Sequence, residues 1–195
     1  MTSLPIKCNA SYLADFLSGN EANALFNELV AEFDVADKRV RMFDGTEFVN
    51  ETGGYIFADP ELVSFDRLPA AWGQRSAWTK SLADVRDRIS DKTGTRYQIA
   101  RCIYYEDGFA GADFHVDLPA YGSTSTIASL SLGAEREFAF RPIAAPNEQF
   151  KIRLGSGSLL VMGEGCQEQY EHALLRDPHC NAPRVNLTFR KYGWD

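Results

Sequence analysis

A histidine and an aspartate two residues apart, His115-Val116-Asp117, carry the first chemical signal in this chain. In an extended segment, residues i and i+2 project to the same side, so an imidazole and a carboxylate converge on one spot. His172 lies on a separate downstream segment and supplies a third ligand for a divalent cation. Two histidines and one carboxylate cover one face of a metal and leave its other positions open. The chain holds 3 histidines, and His179 competes with His172 for the distal place. His179 sits in Asp177-Pro178-His179-Cys180, a turn sequence, so His172 is favoured.

A second signal is the run Arg184-Val185-Asn186-Leu187-Thr188-Phe189-Arg190. Its side chains alternate with the period of a β-strand. Arg184, Asn186, Thr188 and Arg190 share one face, and Val185, Leu187 and Phe189 the other. At roughly 3.3 Å per residue the two arginine Cα atoms stand about 20 Å apart. With each guanidinium reaching inward, about 6–8 Å remains between them, the length of a short dicarboxylate. Arginine suits that task because its planar fork binds a carboxylate bidentately. A surface strand with solvated arginines would alternate in the same way, and the strand alone leaves the two readings level.

The open-faced triad is the pattern of non-haem Fe(II) oxygenases. The order H-x-D, distal histidine, then R-x-N-x-T-F-R resembles the AlkB-like Fe(II)- and 2-oxoglutarate-dependent dioxygenases. Tyr105-Glu106-Asp107-Gly108 is similar to that family's N-x-Y-x-x-G segment. Ile127 to Gly133 with Arg136 to Arg141 resembles its central strand pair. Gly157 to Met162 and Gln167 to His172 resemble its strand and distal-histidine segment. The likeness covers the last half of the chain well and the first half loosely.

The resemblance implies an α+β protein, a double-stranded β-helix (jelly-roll) barrel with supporting helices on one side. It implies Fe(II) held by His115, Asp117 and His172, with 2-oxoglutarate and O2 as cosubstrates. Arg190 is expected to pair with the distal carboxylate of 2-oxoglutarate, and Arg184, with Asn186 and Tyr105, to support the end near the metal. The implied reaction is oxidative demethylation of N-alkylated bases, with alkylated single-stranded DNA or RNA as partner. The alternative is a hydroxylase of a small molecule or protein side chain, and a third class is a barrel that binds without catalysis. Two positions depart from the family pattern. Its N-x-Y asparagine is Ile103 here, which removes one cosubstrate contact. The family often has an acidic residue after the H-x-D that helps read the base, where this chain has Leu118-Pro119.

Composition bounds these readings. At 195 residues with 45% hydrophobic content, the chain suits one globular domain over 1–195. N-terminal helices and a substrate flap are expected in 1–95 and the barrel core in 96–195. The 27 acidic and 20 basic residues give a net charge of −7, which opposes a strong non-specific grip on phosphate backbones. Cys8, Cys102, Cys166 and Cys180 form no C-x-x-C pair and read as small buried thiols in a reducing cytoplasm. No signal peptide pattern and no apolar run of membrane-spanning length is visible, so no membrane partner is expected.

The elements that must position the chemistry follow. Met1 to Ala10 reads as an irregular lead-in. Ser18 to Glu21 fits a capping box, S-x-x-E, opening a helix with Leu25, Phe26, Leu29, Val30 and Phe33 on one face. Val40, Met42 and Phe43, then Phe48 and Val49, read as a hairpin, and Gly53-Gly54 as a turn before Tyr55-Ile56-Phe57. The Lys38 to Phe57 stretch, with Lys38, Arg39 and Arg41, is the candidate flap, although a core role suits Tyr55 and Phe57 better than base stacking. Asp59 to Pro69 reads as a loop or short turn region. Trp78, Leu82, Val85 and Ile89 mark a second helix stopped by Gly94. Ile99, Arg101, Ile103 and Tyr105 share one strand face. Tyr121 to Ser125 is loop-like, and Thr126–Leu132, Glu137–Arg141, Phe150–Leu154 and Ser158–Met162 are further strands.

Overall fold

The computed structural model describes residues 1–42, 44–64, 68, 73–120 and 122–193. Phe43, the end of the expected loop at Pro69, and Tyr121 lie outside these residues, and the Arg41 side chain is not described. The order of elements is β1 (Thr2–Ser3), β2 (Ala10–Leu13), α1 (Gly19–Glu32), β3 (Arg39–Arg41), β4 (Glu47–Val49), β5 (Gly53–Ala58), α2 (Pro60–Ser64), β6 (Arg75–Ala77) and α3 (Lys80–Thr93). Then come β7 (Ile99–Tyr105), β8 (Ala112–His115), β9 (Ile127–Gly133), β10 (Arg136–Pro142), β11 (Phe150–Leu154), β12 (Leu159–Met162), α4 (Cys166–Gln169), β13 (Tyr170–Leu174) and β14 (Arg184–Arg190).

Strand β14 sits inside an eight-stranded sheet ordered β1-β2-β12-β9-β14-β7-β5-β6, and a four-stranded sheet runs β11-β10-β13-β8. All seven residues of β14 are buried, which removes the surface-strand reading. Val185, Leu187 and Phe189 pack with Leu25 and Leu29 of α1 and Leu82, Val85 and Ile89 of α3. Each of these three strand residues is fully buried, and burial of one such side chain contributes about 1.5–3 kcal/mol. On the other face Tyr105, Ile127 and Met162 of the large sheet meet Phe138, Phe140 and Leu174 of the small one. The layers are therefore helices, large sheet, small sheet. The two sheets remain separate, and no closed barrel forms among the described residues.

The local signals for the two main helices hold. The Ser18 hydroxyl accepts from the Glu21 N–H at 3.3 Å and the Glu21 carboxylate accepts from the Ser18 N–H at 2.8 Å, so two orphan donors at the start of α1 are satisfied. Thr79 caps α3, and Gly94 ends it at φ 68° with its N–H donating to Ser90 O, the left-handed stop glycine permits. Val30 departs from the expected stripe: it is 38% exposed, while Leu25 and Leu29 carry the contact with the sheet. Trp78 precedes α3 rather than opening it, and stacks on Phe189 at 6.1 Å.

The first half of the chain is more sheet than expected. The lead-in contains β1, and β2 pairs antiparallel with β12. Strand β5 pairs with β7, so residue 95 divides no structural unit. Pro60–Ser64 is a short helix, not loop. The hairpin forms as β3 against β4. Gly53-Gly54 is no turn: it is the start of β5. A Cβ at Gly53 would fall 2.2 Å from Val35 O, and one at Gly54 2.5 Å from Arg101 Nη2. Close approach of the Val35–Ala36 backbone requires glycine at 53, whereas at 54 the neighbour is the end of a flexible arginine side chain. Among the described residues, no helix is long and apolar enough to cross a membrane.

Gly53→Ala is expected to destabilise the protein by roughly 1–3 kcal/mol through overpacking, read as a lower urea midpoint at unchanged slope. An unshifted midpoint would show that the Val35 segment yields freely.

Candidate active site

The small sheet builds the first part of the site. Its β13 and β8 pair so that His172 stands directly opposite His115, and cross-strand partners on one face lie within contact distance. Their ring centroids are 4.5 Å apart. Strand β8 ends at His115, and the chain leaves it through Val116 to bring Asp117 to the same place. One potential ligand atom from each of His115, Asp117 and His172 lies within 4.8 Å of the other two. It is the one such metal-binding group among the described residues. Asp117 Oδ2 is 3.6 Å from His172 Nε2.

The surroundings prepare these groups to ligate. His172 is 4% exposed and stacks against Phe138 at 5.5 Å. Burial pushes its imidazole down to about 4, so the ring stays neutral and keeps a lone pair for a cation. His115 Nδ1 lies 2.7 Å from Asp113 O. Donation there fixes the tautomer with Nε2 unprotonated, the usual outer contact of a metal-binding histidine. Asp117 is anchored from two directions: its N–H donates to Gln167 Oε1 at 2.8 Å, and one carboxylate oxygen accepts from Arg190. Gln167 lies in α4, one turn before His172, and nothing in its local sequence announced the contact. His179 is exposed in the turn, with its N–H on Asp177, and does not join the group.

The large sheet builds the second part. The polar face of β14 looks into a cavity of about 100 Å³ that also contains the three ligands. At roughly 10–15 Å³ of such space per water, this holds a molecule of several heavy atoms. Arg184 is 2% exposed. Its Nη2 donates to Ser131 Oγ at 2.9 Å, its Nε has no partner among the described residues, and its guanidinium carbon lies 5.5 Å from the Tyr105 ring centroid. Burial lowers it to about 10 and raises the Tyr105 phenol, which leaves Arg184 charged at neutral pH. A buried cation without a carboxylate is costly unless an anion completes it.

The order of the two arginines reverses the expectation from sequence. Arg190 is the one beside the metal ligands, on Asp117 and, at 3.0 Å, on Leu118 O. Arg184 is the remote one, paired in register with Tyr105. The reversal follows from where the loop after β8 lands, which the alternation of β14 does not encode. Asn186 donates to Ser129 Oγ and Leu130 O and accepts from Thr188. Its amide is thus committed to holding β14 against β9. The sequence pattern marks Arg136 only as part of a strand. It is 1% exposed and its guanidinium donates to the carbonyls of Asp107, Gly108, Ala110 and Leu175, which fixes the loop leading to β8. Gly108 is required in that loop, since a Cβ there would meet Asp177 O at 1.7 Å.

Residues 9–190 match the 2OG-Fe(II) oxygenase superfamily. The DNA oxidative demethylase ALKBH2 of Homo sapiens is 34% identical over 183 residues, covering 88% of this chain and 69% of that protein. The chain belongs to the AlkB-like 2OG-Fe(II) oxygenases. The bovine ALKBH2 is 37% identical over 185 residues, covering 88% of this chain and 64% of the relative. The alpha-ketoglutarate-dependent dioxygenase alkB homolog 3 of Mus musculus is 36% identical over 122 residues, 58% of this chain and 43% of the relative. The chain thus spans less than half the length of that relative. A solved structure, that of OsALKBH1, superposes with a TM-score of 0.68 at 17% identity, covering 97% of this chain and 99% of that one. This likeness shows a β-rich oxygenase fold with supporting helices.

The family's metal and cosubstrates are Fe(II), 2-oxoglutarate and O2. The donor set here fits them: two neutral-capable imidazoles and a carboxylate for iron, and the uncompensated Arg184 for an acid. His172→Ala is expected to abolish binding of Mn(II), used as a stable substitute for Fe(II), in calorimetry. His179→Ala is expected to leave it within about twofold, since a surface change away from the site moves little. The opposite pattern would reassign the distal ligand.

Proposed function

We propose that this chain is an Fe(II)- and 2-oxoglutarate-dependent dioxygenase that oxidatively removes N-alkyl groups from bases in nucleic acid. One observation carries the reading. An open-faced His115–Asp117–His172 group and a buried Arg184, with no carboxylate partner among the described residues, share one small cavity. The names of the relatives ALKBH2, a DNA oxidative demethylase, and alkB homolog 3, a dioxygenase, support it. Bound iron, with 2-oxoglutarate and O2, supplies an oxidant that hydroxylates a C–H bond while 2-oxoglutarate leaves as succinate and CO2. On an N-methyl group that product is a hemiaminal, which releases formaldehyde.

The chain's own residues do the positioning. Arg184 and Tyr105 hold the distal carboxylate, Arg190 holds Asp117 in place, and Phe138 with the small sheet keeps His172 dry. The division of β7 to β14 four and four between the two sheets supports a double-stranded β-helix, with residues 1–195 as one catalytic domain. The flap is the β3–β4 hairpin. Phe48 is 49% exposed on it, free to stack on a base outside its helix. Tyr55 and Phe57 belong to the core, edge-on to Phe33.

A small-molecule or protein hydroxylase remains the second reading. It is favoured by the charge of −7 and by the ion pairs Lys38–Glu106 and Arg39–Asp37, which occupy basic groups of the flap. Methylated oligonucleotides incubated with iron and 2-oxoglutarate separate the two. Mass spectrometry is expected to show loss of the methyl group with stoichiometric succinate. Brisk succinate formation with no demethylated oligonucleotide, and oxygen gained by a peptide or small molecule, would give the second reading its place.

Arg184→Ala is expected to weaken 2-oxoglutarate binding by roughly 2–5 kcal/mol with Mn(II) binding retained. Arg190→Ala is expected to weaken metal and cosubstrate together, because it releases Asp117. Equal effects of both variants on the metal would place Arg184 wrongly.

A further inference from the structure

Two of the four cysteines meet in space, which no local spacing announces. Cys8 Sγ lies 2.8 Å from Cys166 Sγ, from a residue 158 positions away. Both are free thiols, Cys166 buried and Cys8 half-buried. Bonded sulfurs stand about 2.0 Å apart, so closing the gap takes less than about 1 Å of movement. The backbone around the pair builds this approach. Asn9 N–H donates to Glu164 O at 2.9 Å, and Gly163 N–H donates to Asn9 O at 2.7 Å. Just beyond, β2 pairs with β12 with Ala10 opposite Met162. Gly165, next to Cys166, lies in the left-handed region at φ 82°, and an added Cβ there would be 3.4 Å from Cys8 Cβ. The two segments are thus held side by side before any sulfur bond forms.

The pair adjoins the metal group without belonging to it. Neither cysteine lines the cavity. Cys166 opens α4, and the next residue, Gln167, accepts from the Asp117 N–H. Helix α4 is four residues long, too short to hold its shape alone, so its place depends on what it packs against. Cys166 belongs to the cluster between the sheets, and Cys8 packs against that cluster from the N-terminal segment. A covalent bond between them would fix the segment that steadies Asp117.

We propose that Cys8 and Cys166 form an oxidative modification site, which a peroxide closes to a disulfide that staples the N-terminal segment to α4. Cys8 is the more exposed sulfur and attacks the peroxide. The O–O bond breaks, Cys8 becomes a sulfenic acid, and one water leaves. Cys166 then attacks the Cys8 sulfur. The S–O bond breaks, the oxygen leaves as a second water with the Cys166 proton, and the S–S bond forms. Two thiols are oxidised by two electrons, and one hydrogen peroxide is reduced to two waters. Because the second sulfur is already in contact, its attack outruns further oxidation to the sulfinic acid. Burial pushes both thiols up, so thiolate is scarce at neutral pH and the pair answers a sustained oxidant. A cross-link over so long a stretch also removes freedom from the unfolded chain. The site is independent of which substrate the enzyme takes.

The test treats the whole chain, loaded with Mn(II) in place of Fe(II), with hydrogen peroxide. Remaining thiols are blocked with N-ethylmaleimide in urea, and the digest is read by mass spectrometry without reductant. The expected product is a linked pair of peptides containing Cys8 and Cys166, separated by dithiothreitol, with Cys102 and Cys180 alkylated. The disulfide form is expected to have a higher urea midpoint, and to retain Mn(II) at urea concentrations where the reduced form has lost half of it. Without urea the two forms should bind Mn(II) within about twofold, since the backbone around the sulfurs is already in place. Cys8→Ser should form no link and show no gain in midpoint with peroxide, and Cys8→Ala, which keeps the position apolar, should do the same. Cys180→Ser should behave as the unaltered protein. A sulfinic acid at Cys8 without a link, a link to Cys102 or Cys180, or no reaction at either cysteine overturns the site. A Cys8–Cys166 link that leaves both the urea midpoint and Mn(II) retention unchanged overturns the staple.

Discussion

Four polar side chains on a fully buried strand set the terms for this molecule. Arg184, Asn186, Thr188 and Arg190 lie between two sheets, where an unanswered polar group is expensive. Each has been given a different answer. Asn186 and Thr188 bond to each other and to β9. Arg190 takes a ligand carboxylate and a carbonyl. Arg184 has a serine hydroxyl and an aromatic face, with no carboxylate beside it among the described residues.

The same strand explains why helices are present. Its apolar face needs cover, and α1 and α3 provide it through Leu25, Leu29, Leu82, Val85 and Ile89. Neither helix contributes a residue to the cavity. They hold the large sheet from behind so that its front keeps a fixed register against the small sheet. On that front, pairing of β13 with β8 puts two imidazoles face to face. Rigid strands supply the histidines, and the short segment after β8 supplies the aspartate, steadied by Gln167 and Arg190. Two elements thus share the metal group, and one crosses from sheet to loop inside the H-x-D motif.

Much of this was legible in the sequence wherever the signal is local. The alternation of β14, the capping box at Ser18 and the stripe of α3 each depend on neighbours within a few residues. The grouping of His115, Asp117 and His172 was legible because only three histidines compete for its places. What failed depends on distant partners. Gly53 and Gly54 look like a turn, yet they answer to Val35 O and Arg101. The order of Arg184 and Arg190 depends on where another loop lands. Strands β1, β2 and β6 are two to four residues long, too short for a period to show. Gln167 acts through a single side-chain contact across 50 residues.

The position of β14 bears on how the protein comes to exist. It slots between β7 and β9, both of which leave the ribosome well before it. Until it arrives, each presents an unpaired edge, the kind of template on which strands from other molecules can add. The contacts that close the sheet are also long in sequence separation, which slows folding. Nascent chains therefore carry their greatest hazard of aggregation just before the active site appears, and a chaperone that shields sheet edges would act in that interval. The completed cavity and protection from misassembly arrive in a single step, with one strand.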